Sequence, residues 1–154
     1  MDKQTIVISE ERYPVAWRFN AKDCSLSADE KEAIVFLNAG DSERLWGAVF
    51  PFDHLMEMTS SFARVAAEER LDFVHPEASI VFFRNKLKDA SFVFFFWGRR
   101  AAAIVPAEIL ATSWSDFFYP DDETSVAVIA NKGEIIFSHE ERFFHARMIE
   151  QQGS

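Results

Sequence analysis

The sequence predicts an α+β fold in which N-terminal helices pack on a mainly antiparallel sheet formed largely by the C-terminal half. Three observations carry this expectation. Ser27-Ala28-Asp29-Glu30 has the form of a capping box, in which hydroxyl and carboxylate satisfy each other's orphan backbone donors at a helix start. Leu55, Met58, Phe62, Val65 and Ala66 recur at helical spacing. From Ala78 onward the period changes to β-branched and aromatic runs separated by short polar turns, the pattern of hairpins. Helices first and strands later, with short connections, favour α+β over an alternating α/β plan.

Taken in order, Tyr13–Phe19 reads as an early strand, with Val15, Trp17 and Phe19 on one face. The capping box starts a helix over about Ala28–Leu37, and Gly40 suits its stop. Asp41 or Ser42 caps another short helix that carries Leu45, Trp46, Val49 and Phe50 on one side. After Pro51, the strongest helical period covers about Asp53–Arg70. Its Met and Phe stripe suits either a partner groove or the core, and stripes at this spacing more often face the core. Leu71–Glu77 is a link that Pro76 closes.

Ala78–Arg84 and Ser91–Trp97 read as a hairpin across Asn85–Asp89. The second run is apolar on both faces, as a central strand covered by helices on one side would be. Ala101–Val105 is a third strand. Pro106 then opens a short helix through Trp114, since proline suits a first helical position. Thr124–Ala130 and Glu134–Ser138 form a second hairpin across Asn131-Lys132-Gly133, and Phe143–Met148 is a last strand or a helical turn. No internal repeat or linker divides the 154 residues, so a single domain 1–154 is expected, with residues 1–4 and 150–154 frayed.

The composition narrows function by exclusion. Seventeen Phe against two Tyr and four Trp put most aromatic surface where no polar handle is needed, in a core. The net charge of −9 disfavours nucleic-acid binding through phosphate contacts. The same charge permits steering toward a basic protein, although acidity also serves plain solubility. Cys24 is the sole cysteine, so no internal disulfide forms. Residues 1–14 show no secretory apolar segment, and the longest apolar runs are far short of the ~20 residues that span a bilayer. A cytoplasmic protein away from the membrane is expected.

Searching for catalytic chemistry returns little. The chain has no Gly-rich phosphate loop, no nucleophile elbow and no paired cysteines. His139-Glu140-Glu141 begins like a zinc-protease helix, but Phe143 occupies the place of the second histidine. His139 and His145, if on one strand, would share a face at ~20 Å, too far for one metal. Asp121, Asp122 and Glu123 lack the alternating spacing of a calcium loop. Asp116 and Glu140 qualify for acid–base work only as any carboxylates do. Arg99 and Arg100 either meet an anionic ligand or pair with nearby acids at a strand end, and the pairing is favoured. No cofactor, no metal and no enzymatic role are expected.

The most distinctive stretch lies in a gap free of lysine and arginine between Arg100 and Lys132. Trp114, Phe117, Phe118 and Tyr119 stand beside Asp116, Asp121, Asp122 and Glu123, with Pro120 between. Aromatic anchors beside unpaired acids suit a surface that grips a basic partner. They equally suit a buried corner followed by an acidic turn, and the spacing after a short helix places at least two of Trp114, Phe117 and Phe118 in the core.

Taken with Tyr13–Phe19 and Arg44-Leu45-Trp46, the run from Trp114 to Glu123 followed by His139-Glu140-Glu141 resembles families of small, acidic, uncharacterised bacterial proteins. Some of these are immunity proteins encoded beside polymorphic toxins. The resemblance implies an α+β fold, no catalytic residue, and neutralisation of a toxin domain by binding. The expected partner is therefore a protein, a basic toxin domain, with Trp114, Tyr119, Asp121, Asp122 and Glu123 as first contact residues and Glu140 and Glu141 as second. The alternative is a small-ligand-binding or regulatory domain with a Phe-rich pocket.

Overall fold

The computed structural model describes residues 9, 11–13, 16–21, 24–70, 74–118, 125–139 and 142–149. The described helices are α1 (Ala16–Asn20), α2 (Ala28–Ala33), α3 (Ala39–Val49), α4 (Ile80–Lys86), α5 (Ala107–Thr112) and α6 (Trp114–Phe117). The strands are β1 (Val35–Leu37), β2 (Ala63–Arg70), β3 (Phe92–Phe96), β4 (Ala102–Pro106), β5 (Val126–Ile129), β6 (Glu134–His139) and β7 (Arg142–Met148). They form one antiparallel sheet in the order β1-β4-β3-β5-β6-β7-β2. Five C-terminal strands make the middle, and the two strands of the N-terminal half close its edges. The α+β class and the dominance of the C-terminal half in the sheet are as expected.

The period of two in β3 explains why a seven-stranded sheet needs helices on both sides. Val93, Phe95 and Trp97 pack on one face with Phe19, Phe83, Leu110, Trp114, Phe117, Phe118 and Phe143, under α1, α4, α5 and α6. Phe96 points to the other face and joins Trp46, Phe50, Leu55 and Phe62, supplied by α3 and the chain after it. Phe95 and Phe96 are both fully buried although they face opposite ways. Helices therefore cover both faces of β3 and not one, because its unbroken aromatic run has to be buried on both sides.

Local signals hold where their reach is short. The Ser27 hydroxyl accepts the Glu30 N–H at 3.1 Å, and the Glu30 carboxylate accepts the Ser27 N–H at 2.9 Å, so the capping box forms. Helix α3 begins about one turn earlier than expected: Asn38 is the cap in place of Asp41 or Ser42, its side chain accepting the Asp41 N–H at 2.8 Å, and Gly40 lies inside α3. The β5–β6 hairpin turns through Asn131-Lys132-Gly133, with Gly133 in the left-handed region at φ 63°. Arg99 sits 3.3 Å from Glu43 and 3.2 Å from Asp53, pinning the β3–β4 turn to α3 and the segment after it. That is the acid pairing expected of it.

Four elements differ from expectation. Tyr13–Phe19 holds no strand over its described residues; α1 begins at Ala16 and buries Ala16 and Phe19 together. The helix from Ala28 ends at Ala33, and Val35–Leu37 becomes the edge strand β1, pairing with β4. Ala78–Arg84 is helical instead of a hairpin arm: Pro76 opens a 3-10 turn that runs into α4, and Ser79, Phe83 and Leu87 are buried at a spacing of four. Asp53–Arg70 is not one helix. It is a 3-10 turn at Leu55–Glu57 followed by β2, seven of whose eight residues pair with β7 around a bulge at Ala66. The helix-favouring Ala, Arg and Glu of β2 yield to the backbone hydrogen bonds that the free side of β7 offers.

Candidate protein-binding groove

The residues expected to meet a partner divide sharply. Trp114 is fully buried; its ring lies 5.5 Å from Phe83 and 5.7 Å from Phe143, and its indole N–H donates to the Pro76 carbonyl at 2.9 Å. A ring so enclosed touches no partner, so Trp114 leaves the candidate surface and joins the core. Phe117 and Phe118 are fully buried as well. The Phe117 carbonyl accepts from both the Trp97 indole at 2.9 Å and the Arg18 guanidinium at 3.0 Å, which fixes the end of α6. Asp116 accepts from the Ser25 N–H and hydroxyl and thereby ties α6 to the chain ahead of α2. Tyr119, Asp121, Asp122, Glu123, Glu140 and Glu141 lie outside the described residues.

An accessible apolar groove lies elsewhere. A groove of about 480 Å³ opens on the sheet face away from Trp114, where β6, β7 and β2 meet the segment after α3. Its floor is Phe137 and Ala146, with Phe137 stacked at 5.3 Å on its cross-strand partner Phe144. One wall is Leu55, Met56 and Met58, on and just after a 3-10 turn that His54 caps by accepting the Met56 N–H at 3.0 Å. The opposite wall is Ala63 to Val65 at the start of β2. Thr59, Ser60, Arg64 and His139 make a polar rim. Met56 is 76% exposed and Val65 54% exposed, large apolar fractions for side chains lining one depression.

The sequence signal for this groove was the stripe Leu55, Met58, Phe62, Val65. It divides as a strand and a turn divide it: Leu55 and Phe62 enter the core, while Met58 and Val65 line the groove. A helical period cannot show this, because the two walls come from different elements.

Around the groove the charges are local pairs. Arg142 meets Glu68 at 3.2 Å across β7 and β2. On the other face, buried His145 shares a 2.9 Å hydrogen bond with Glu134, and its second ring nitrogen has no partner. The register sets Ile136 opposite His145, so His139 and His145 occupy neighbouring strands and opposite sheet faces. The single-strand geometry expected for them is corrected accordingly. No group of three or more His, Cys, Asp or Glu among the described residues gathers where one metal ion would reach them. Between α4 and α5, the Glu108 carboxylate raises the Arg84 pKa, first by its hydrogen bond and then by its charge. No helix among the described residues is long and apolar enough to cross a membrane.

Comparison of the chain with protein-family models, curated proteins and solved structures finds no match.

Proposed function

We propose that this chain is a non-catalytic protein-binding module, an immunity-type inhibitor that binds and neutralises a bacterial toxin domain in the cytoplasm. The observation that carries the reading is the open apolar groove lined by Met56, Met58 and Val65 beside β2, an edge strand of the sheet among the described residues. Methionine side chains are unbranched and polarisable, and they adapt to an inserted apolar segment. An edge strand leaves one row of backbone donors and acceptors unpaired, ready for an extended partner segment. The net charge of −9 favours encounter with a basic partner. Glu140 and Glu141 follow the rim residue His139 directly in the chain, and with Tyr119, Asp121, Asp122 and Glu123 they are the steering residues of this reading.

The volume also suits a small apolar ligand, the competing reading. Only Phe137 among the described phenylalanines lines this groove, so such a site would be methionine-lined more than Phe-rich.

The test pairs purification with protection. The chain is co-expressed with the product of the neighbouring gene, and the complex is sought by size-exclusion chromatography and by survival of the expressing cells. A stable complex that Met58→Lys or Val65→Lys weakens by tenfold or more supports the proposal. Absence of both complex and protection overturns it, and saturable binding of an apolar small molecule in that groove would then favour the competing reading.

A further inference from the structure

At the end of the sheet, β2, β7 and the β5–β6 turn enclose an open cleft of about 640 Å³ in which Arg64, Lys132 and Arg147 converge. The strand register sets Arg64 directly opposite Arg147. Like charges directly opposite each other on paired strands repel. In a chain with twenty-five carboxylates, this is the arrangement a neutralising neighbour would be expected to relieve. Among the described residues the relief is small. Glu134 approaches Arg147 at 3.6 Å while also holding His145 at 2.9 Å, and neither Arg64 nor Lys132 forms an ion pair with any described residue.

The surroundings also suit an anion. The Lys132-Gly133 turn is held by Gly133 in its left-handed conformation and by the Met148 N–H donating to the Gly133 carbonyl at 2.8 Å. The backbone of the turn that carries Lys132 is therefore tied to the end of β7. Guanidinium groups present planar pairs of donors that match a carboxylate's two oxygens, which favours a carboxylate over a spherical anion. Arg64 lines both this cleft and the apolar groove, so one extended segment can occupy the groove and end in the cleft.

We infer that the Arg64–Lys132–Arg147 cleft is a carboxylate-binding site, taking the C-terminal or acidic side-chain carboxylate of the polypeptide that fills the groove. This rests on the protein-binding reading above. The acidic body of the molecule steers a basic partner, and the cleft selects the one segment that carries an exposed carboxylate.

The test is NMR titration of the isotope-labelled full chain with four probes. They are N-acetyl-dialanine as the free acid, the same dipeptide as its C-terminal amide, N-acetylglutamine's acidic counterpart N-acetylglutamate as its α-amide, and inorganic phosphate. Saturable shifts at the amides of Arg64, Gly133 and Arg147, with a Kd on the order of 1 mM, are expected for the free acid or the glutamate α-amide. Which of these two binds more tightly separates a chain terminus from a side chain. The dipeptide amide is expected to bind at least tenfold more weakly, and Arg64→Gln with Arg147→Gln to remove the difference. No saturable shift with any probe, equal binding of acid and amide, or tighter binding of phosphate than of both carboxylates overturns the inference. None of these outcomes alters whether the toxin complex forms, so the two readings fail separately.

Discussion

The indole of Trp114 donates its N–H to the carbonyl of Pro76 at 2.9 Å, joining the first residue of α6 to the 3-10 turn that opens α4. The bond crosses thirty-eight residues of sequence and satisfies the one polar atom of a ring that is otherwise enclosed by Phe83 and Phe143. Trp114→Phe is expected to lose the bond and leave the Pro76 carbonyl to water, at a cost of about 1 kcal/mol. Trp114→Ala should cost ~3–5 kcal/mol through the cavity it leaves. Urea unfolding followed by tryptophan fluorescence and circular dichroism measures both, and a neutral Trp114→Ala would contradict the burial described.

Groove residues should behave in the opposite way. Met58→Lys and Val65→Lys are expected to change unfolding free energy by less than about 1 kcal/mol, because both side chains already meet solvent. The same changes are expected to weaken the partner complex by tenfold or more. A large stability loss with unchanged binding would show that the groove is a structural seam.

The capping box offers a measurable coupling. Ser27→Ala and Glu30→Ala each remove one partner of a reciprocal pair, and each should destabilise the chain by about 1 kcal/mol. The double variant should cost less than the sum of the two, since each bond orients the other. Strict additivity in a double-mutant cycle would contradict a cooperative box.

Glu134 is the only described hydrogen-bond partner of buried His145. Glu134→Ala therefore leaves both ring nitrogens enclosed without a partner, with an expected loss of ~1–3 kcal/mol. The change also takes away the one carboxylate among the described residues that pairs with Arg147, so the repulsion between Arg64 and Arg147 adds to the loss. Pairing Glu134→Ala with Arg64→Gln should recover part of the stability, and no recovery in thermal unfolding would contradict that coupling.

How much of this was legible varies by element. The capping box, the β3 and β4 strands, the β5–β6 hairpin and the acid pairing of Arg99 were readable. Each depends on residues a few positions apart or on an unambiguous period. Ala78–Arg84 was misread because a short apolar run fits a strand or a buried helix equally well, and only the four-residue spacing of Ser79, Phe83 and Leu87 separates them. The groove was half legible. Leu55, Met58 and Val65 stood out, but the walls they form belong to a turn and a strand that a continuous helical reading merges.

The sequence by itself determined the fold class, the start of α2, the β5–β6 turn through Gly133, and the central place of an aromatic strand apolar on both faces. These follow from backbone capping, glycine's freedom at positive φ, and the cost of exposing phenylalanine to water. Only the tertiary structure decided that Ala63–Arg70 extends along β7, that β1 and β2 take the two edges, and that Trp114 points inward. It alone brought Arg64, Lys132 and Arg147 to one cleft. Each of those outcomes depends on partners tens of residues away, where pairing of free backbone groups and exclusion of water outweigh the propensities of neighbouring residues.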